Sequence, residues 1–98
     1  MLDKMQAGFA DQSAEFLSAL ANSKRLAILG YLIEGEMSVN DIAKRVSLSQ
    51  SALSQHLAKL RNLNLVQTRR DRQTIFYSCS SPSVILVYNA LRDLFQKS

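Results

Sequence analysis

Residues 49–62, SQSALSQHLAKLRN, constrain this chain more than any other stretch. At about 100° per residue, helical geometry puts Leu53, Leu57 and Leu60 on one narrow stripe. Ser51, Gln55, Lys59 and Asn62 then fall on the far side, with Ser54 and Arg61 on one flank. The leucine stripe has to be buried, so the opposite face has to point outward. A solvated helix face usually mixes Glu with Lys, which support each other three and four residues apart. This face carries amides, hydroxyls and cations instead. Those groups read base edges and hold phosphates. Ser49 is placed to cap the helix, and Leu48 and Leu53 occupy the positions of a hydrophobic staple. The plainer alternative is a polar surface helix with no ligand.

The residues before it complete a pattern. Ser38 caps a helix over 39–46, with Asp41 three residues on and Met37 and Ile42 as its staple. Ile42, Ala43 and Val46 face inward, and Ala43 is small where the next helix has to cross closely. Val46-Ser47-Leu48-Ser49 forms a short turn with Leu48 pointing into the core. A short helix, a turn of about three or four residues and a polar-faced second helix make a helix-turn-helix over 38–62. After Leu63 the period changes to 2. Leu65–Arg70 and Gln73–Cys79 are rich in Val, Thr, Ile, Phe and Tyr, which predicts a β-hairpin wing within 64–79. Its tip, Arg70-Asp71-Arg72-Gln73, is basic and lacks an Asn-Gly signal, so the turn type stays open. Such a tip can reach a neighbouring groove or the phosphates beside it, or simply be solvated.

The flanking segments are apolar. A first helix over 3–20 has a partial stripe of Phe9, Phe16, Leu17 and Leu20, weakened early by Gly8. A second, over 23–34, is capped by Asn22 or Ser23. Leu26, Leu29, Ile33, Ala27, Ile28 and Leu32 make it apolar over more than half its circumference, which marks it as central. Gly35 is a natural left-handed stop. Ser81 and Pro82 suit the cap and first position of a last helix over 82–97. Val84, Val87, Leu91 and Leu94 follow a near-heptad spacing there, with Ile85, Tyr88 and Phe95 alongside. A small subunit cannot cover so much apolar surface alone. Phe9, Phe16, Leu20, Val84, Val87, Tyr88, Leu91 and Leu94 are therefore expected to pack in a two-fold dimer.

The 98 residues, 47% hydrophobic, are read as one domain over 1–98, mainly α with a β-hairpin wing. No apolar run approaches the roughly 18–20 residues that span a bilayer. Asp3, Asp11 and Glu15 near the N-terminus argue against a signal peptide, so a cytoplasmic protein is expected. The single cysteine, Cys79, excludes an intrachain disulfide and a multi-cysteine metal site. The net charge of +4 is segregated: residues 1–36 carry a balance of −2, residues 37–72 of +5 and residues 73–98 of +1. Cations clustered around the helix-turn-helix and wing are the electrostatic footprint of a nucleic-acid binder. No nucleophile–base pair, phosphate-binding glycine loop or paired carboxylates stand out, so neither an enzyme nor a cofactor is expected.

The segments LSQSALSQHLAKL and RNLNLVQTRRDRQTIFYS, with the early ALANSKRLAILGYL, resemble the ArsR/SmtB family of bacterial winged-helix repressors over nearly the whole chain. The resemblance implies a homodimeric winged helix-turn-helix regulator of transcription. Most relatives repress by blocking polymerase, while some relieve silencing. Many members sense metals through a cysteine pair at the start of the first helix-turn-helix helix; the matching stretch, Glu36-Met37-Ser38-Val39-Asn40-Asp41, has none. Others use Asp and His on the last helix, where Asp93 stands without a histidine. A third group uses two cysteines as a thiol switch. Gly30 stands where one is expected, and Cys79 lies in the wing. No metal site and no intrachain dithiol switch are inferred, and no inducer is named.

Double-stranded DNA is the expected partner. Base-edge contacts are assigned to Gln50, Ser51, Ser54 and Gln55, since Gln pairs with adenine through a donor and an acceptor. Phosphate contacts are assigned to Lys59, Arg69, Arg70 and Arg72, with Gln73 beside them at the tip. His56 is either a flank residue packed against the turn or a donor to DNA. Cys79 is most simply a buried strand residue. The rival from another class is a winged helix whose same face binds a partner protein.

Overall fold

The computed structural model describes residues 4–96. Asp3 and Lys97, the expected outer ends of the first and last helices, lie outside the described residues. The elements run α1 (Lys4–Leu20), α2 (Ser23–Glu34), β1 (Met37–Ser38), α3 (Val39–Val46), α4 (Gln50–Asn62), β2 (Gln67–Asp71), β3 (Thr74–Ser78) and α5 (Pro82–Phe95).

Local chemistry sets most of these boundaries. The side chains of Asn22, Ser38, Ser49 and Ser81 each accept a backbone N–H three residues on, capping α2, α3, α4 and α5. Pro82 opens α5, where its missing N–H costs nothing. Two neighbouring cations on α2 close the helices on either side of it. Lys24 Nζ donates to the Val46 carbonyl at the end of α3, 2.6 Å away. Arg25 Nε donates to the Ala19 carbonyl at 2.7 Å and its Nη2 to the Ser18 carbonyl at 3.2 Å, at the end of α1. Cations at these termini satisfy orphan carbonyls and oppose the negative end of the helix dipole.

α2 is the hub, as its broad apolar surface predicts. Ile28, Leu29 and Leu32 pack with Ile42 and Val46 of α3, Leu53, Leu57 and Leu60 of α4, and Val84 of α5. Leu65, Val66, Tyr77 and Cys79 close the core beneath the wing. Truncating any of the fully buried leucines to Ala would cost about 2–5 kcal/mol, so the rotation of α4 about its axis is firmly set. Tyr88 of α5 lies over Gly30 of α2. A Cβ at residue 30 would sit 2.8 Å from Tyr88 Cζ and nearer still to its hydroxyl oxygen. Glycine at that helical position therefore makes room for the aromatic ring.

Three expectations are corrected. The wing is part of a three-stranded antiparallel sheet in the order β1-β3-β2, with Met37 opposite Tyr77 and Ser38 opposite Phe76. Two residues are too few to show alternation, so β1 left no periodic signal. Gly35 ends α2 in extended backbone (φ 179°, ψ 163°), not left-handed. Among the described residues the left-handed ones are Ser47 after α3 and Asn64 after α4, with Arg72 at the hairpin tip. Finally, Val84 is wholly buried and Leu20 nearly so within the single chain. Neither retains surface for a partner subunit, because α2 and its neighbours already cover them.

Candidate nucleic-acid interface

α3, the Ser47 turn and α4 present one face of α4 outward. Ser51, Ser54, Gln55 and Lys59 are exposed there, while Leu53, Leu57 and Leu60 face the core. Among the described residues, Ser54, Gln55 and Lys59 have no intrachain hydrogen-bond or ionic partner, so their donors and acceptors are free for a ligand. Gln50 is exposed but tethered: its Nε2 donates to Asn40 Oδ1 at 2.6 Å. Ser51 Oγ lies 3.3 Å from Ser49 Oγ. α4 contains no acidic residue, and its last turn holds Lys59 and Arg61.

The wing is placed against this helix by two ties. Arg61 Nη1 donates to the Tyr77 hydroxyl at 2.7 Å, joining α4 to β3. β1 joins β3 to the residues that cap α3. Between the starts of α3 and α4 and the wing lies a groove of about 280 Å3 lined by Val39, Asn40, Gln50, Gln73, Thr74 and Ile75. Gln50 and Gln73, far apart in sequence, thus share one groove wall. At the tip, Asp71 pairs with Thr74 and the two-residue loop is Arg72-Gln73. Arg72 takes a positive φ of 60° there, a conformation that costs an L-residue about 1–2 kcal/mol. Arg70, Arg72 and Gln73 are exposed and, among the described residues, their side chains have no intrachain hydrogen-bond or ionic partner.

Two assignments change. Arg69 is not a free cation. Its Nε and Nη2 donate to the two carboxylate oxygens of Glu36, each at 2.7 Å, and its guanidinium lies 4.7 Å over the Phe76 ring opposite it in the sheet. The hydrogen bonds from Arg69 hold the Glu36 carboxyl below the usual carboxylate range. Glu36 was beyond sequence reasoning because 33 residues separate the partners. His56 is not on the outward face. Arg25 Nη1 donates to its Nδ1 at 3.1 Å, which ties α4 to α2 and, through the other bonds of Arg25, to the end of α1, and leaves the proton on Nε2. Partial burial, with the Arg25 charge second, pushes the His56 pKa down, so the ring is neutral near pH 7.

Cys79 is buried and burial pushes its thiol pKa up, away from the reactive thiolate. Among the described residues no three His, Cys, Asp or Glu side chains converge as metal ligands. No described helix is long and apolar enough to cross a membrane. The terminal helices leave apolar side chains in water: Phe9 is 70% exposed, Leu86 72% and Phe95 81%, with Leu17 and Leu94 also open. Leu17, Leu86 and Phe95 extend this surface beyond the expected interface residues. An open groove between α1 and α5 is lined by Phe9, Phe16, Leu17 and Val87, with Gln12, Ser13 and Ser83 at its edges.

A helix-turn-helix followed by an antiparallel wing, with an acid-free outward helix, defines a winged helix-turn-helix regulator. Comparison with known proteins narrows this. Residues 22–68 match the model of the bacterial regulatory protein, arsR family. The chain is 58% identical over 86 residues to the nodulation protein NolR of Rhizobium meliloti, covering 88% of this chain and 70% of that protein. It is 49% identical to the transcriptional activator HlyU of Vibrio cholerae, over 81% of this chain and 73% of that one. The crystal structure of NolR from Sinorhizobium fredii superposes with a TM-score of 0.96 at 52% identity, over 100% of this chain and 98% of that one. A homodimeric winged helix-turn-helix DNA-binding domain from Mycobacterium bovis superposes with a TM-score of 0.82 at 29% identity, over 96% and 87% of the two chains. The chain belongs to the ArsR family of bacterial regulatory proteins. It is a transcription regulator, not an enzyme.

Proposed function

We propose that two copies of this chain form a two-fold dimer that reads double-stranded DNA in the cytoplasm. The helix-turn-helix (38–62) places α4 in the major groove, the wing (64–79) lies along the adjoining phosphates, and the terminal helices make the dimer. Two-fold symmetry then requires a roughly palindromic site with half-sites about 34 Å apart, or a small multiple of that. One observation carries this reading: Ser54, Gln55 and Lys59 stand outward and unpartnered on a helix without a single acid. Gln50, Ser51, Ser54 and Gln55 read base edges. Lys59, Arg70 and Arg72 neutralise phosphates, and Gln73 adds a neutral contact at the tip. The apolar side chains left open on α1 and α5 support the dimer, as does the homodimeric state of the Mycobacterium bovis relative.

Repression by occupying a promoter is the first reading of its sign. The name of the Vibrio relative, a transcriptional activator, favours a second, in which the bound dimer promotes transcription. Selection of bound duplexes from a random pool, followed by titration at two salt concentrations, tests the function. A single palindromic consensus and a steep salt dependence are expected. Gln55→Ala should weaken discrimination at one base pair per half-site by about 1–3 kcal/mol. Salt-independent, sequence-blind binding would favour the rival in which this face docks a protein.

A further inference from the structure

The hydrogen bond between α3 and α4 joins two exposed side chains and covers no buried polar group. Asn40 stands in the first turn of α3 and Gln50 is the first residue of α4. Gln50 Nε2 donates to Asn40 Oδ1 at 2.6 Å, at the wall of the groove that also takes in Gln73 and Thr74 of the wing. A glutamine has three rotatable bonds before its amide, and an exposed one samples many rotamers. This one is held from the opposite side. The bond uses one Nε2 hydrogen, leaving the second hydrogen and the Oε1 acceptor free. A free donor beside a free acceptor is the pair that matches the N7 and N6 edge of adenine. Bonded at Oδ1, Asn40 also keeps its own amide hydrogens.

We propose that Asn40 is a positioning residue that orders the Gln50 amide before DNA arrives, so that specificity at the base pair facing Gln50 is set jointly by α3 and α4. The proposal rests on the reading of α4 as the base-reading helix. Asn40 acts through Gln50 and touches no base itself.

The test compares the parent chain with Asn40→Ala, Asn40→Asp and Gln50→Ala. Each is titrated against the selected duplex and a panel carrying every single base-pair substitution. Gln50→Ala flattens the preference at one base pair per half-site. Asn40→Ala flattens the same base pair by about threefold to tenfold, the range for losing the pre-ordering of one long side chain. It leaves the other positions and the salt slope unchanged. Asn40→Asp keeps an acceptor for Nε2, so it retains the preference at that base pair while its new negative charge weakens every duplex alike. In the Gln50→Ala background, Asn40→Ala changes no base preference at all, which a merely structural role of Asn40 would not produce. If Gln50→Ala alters preference and Asn40→Ala does not, the positioning role is overturned and the base-reading helix stands. If Gln50→Ala alters no preference either, Gln50 is no base reader and both assignments fall together.

Discussion

Replacing Glu36 by glutamine tests how the wing meets DNA. In the free chain both carboxylate oxygens of Glu36 engage Arg69, so the charge of that site is close to zero. The substitution keeps the size and one hydrogen-bond acceptor but leaves the guanidinium uncompensated. The Phe76 ring beneath Arg69 keeps the cation on the wing surface. One further cation facing DNA adds about one phosphate neutralised, which steepens the plot of log K against log salt by about 0.9. Between about 50 and about 200 mM salt, that slope amounts to about 3.5-fold in affinity. The gain of Glu36→Gln over the parent at the low-salt end should exceed its gain at the high-salt end by that factor. Fluorescence anisotropy of a labelled duplex across the range measures it, with Glu36→Gln/Arg69→Gln as the control that restores the parental slope. A slope unchanged or shallower in Glu36→Gln would refute the competition between Glu36 and phosphate for Arg69. Protonation does not complicate the assay. The Glu36 carboxyl is held below its ordinary value of 4.5, so the pair is intact above that pH and lost only as the pH falls through the lowered value.

Three other outcomes follow from the geometry. Arg72→Gly should stabilise the chain by about 1 kcal/mol by relieving the positive φ, yet reduce the DNA salt slope by about 0.9; chemical unfolding and anisotropy read the two opposite effects. His56 has its folded pKa below 6.5, so stability should fall as the pH drops below 6.5 toward the folded value, where the unfolded chain binds the extra proton. His56→Gln should flatten that part of the stability–pH curve, and a curve identical to the parent would sink the assignment. Leu94→Lys, on the exposed side of α5, should raise the dimer dissociation constant by roughly tenfold or more in sedimentation equilibrium while leaving the monomer fold intact. An unchanged constant would remove Leu94 from the interface.

Caps and stripes were legible in the sequence because they are local. Ser38, Ser49 and Ser81 bond to residues three positions on, and Leu53, Leu57 and Leu60 share a face at fixed helical spacing. What escaped depends on distant partners. Nothing near Arg69 announces Glu36, and nothing near His56 announces Arg25, since 33 and 31 residues separate the pairs. Val84 fits a heptad spacing as well as Leu94 does. Only the packing of α5 on α2 separates the buried residue from the open one. The hairpin tip was hidden for a different reason: Arg72 takes the left-handed conformation that Gly or Asn would have signalled.

The bond from Arg61 to the Tyr77 hydroxyl carries a consequence for target choice. It ties β3 to α4, so in the proposed DNA-bound dimer the wing and the helix in the major groove are coupled in position. Under the proposed function a duplex would have to suit that spacing as well as supply the right bases. Steps that already hold the matching groove width bind without distortion, and stiffer or wider ones lose affinity by the energy needed to bend them. If the proposed contacts hold, discrimination should extend to base pairs that no side chain reaches, which substitutions between the contacted positions would reveal.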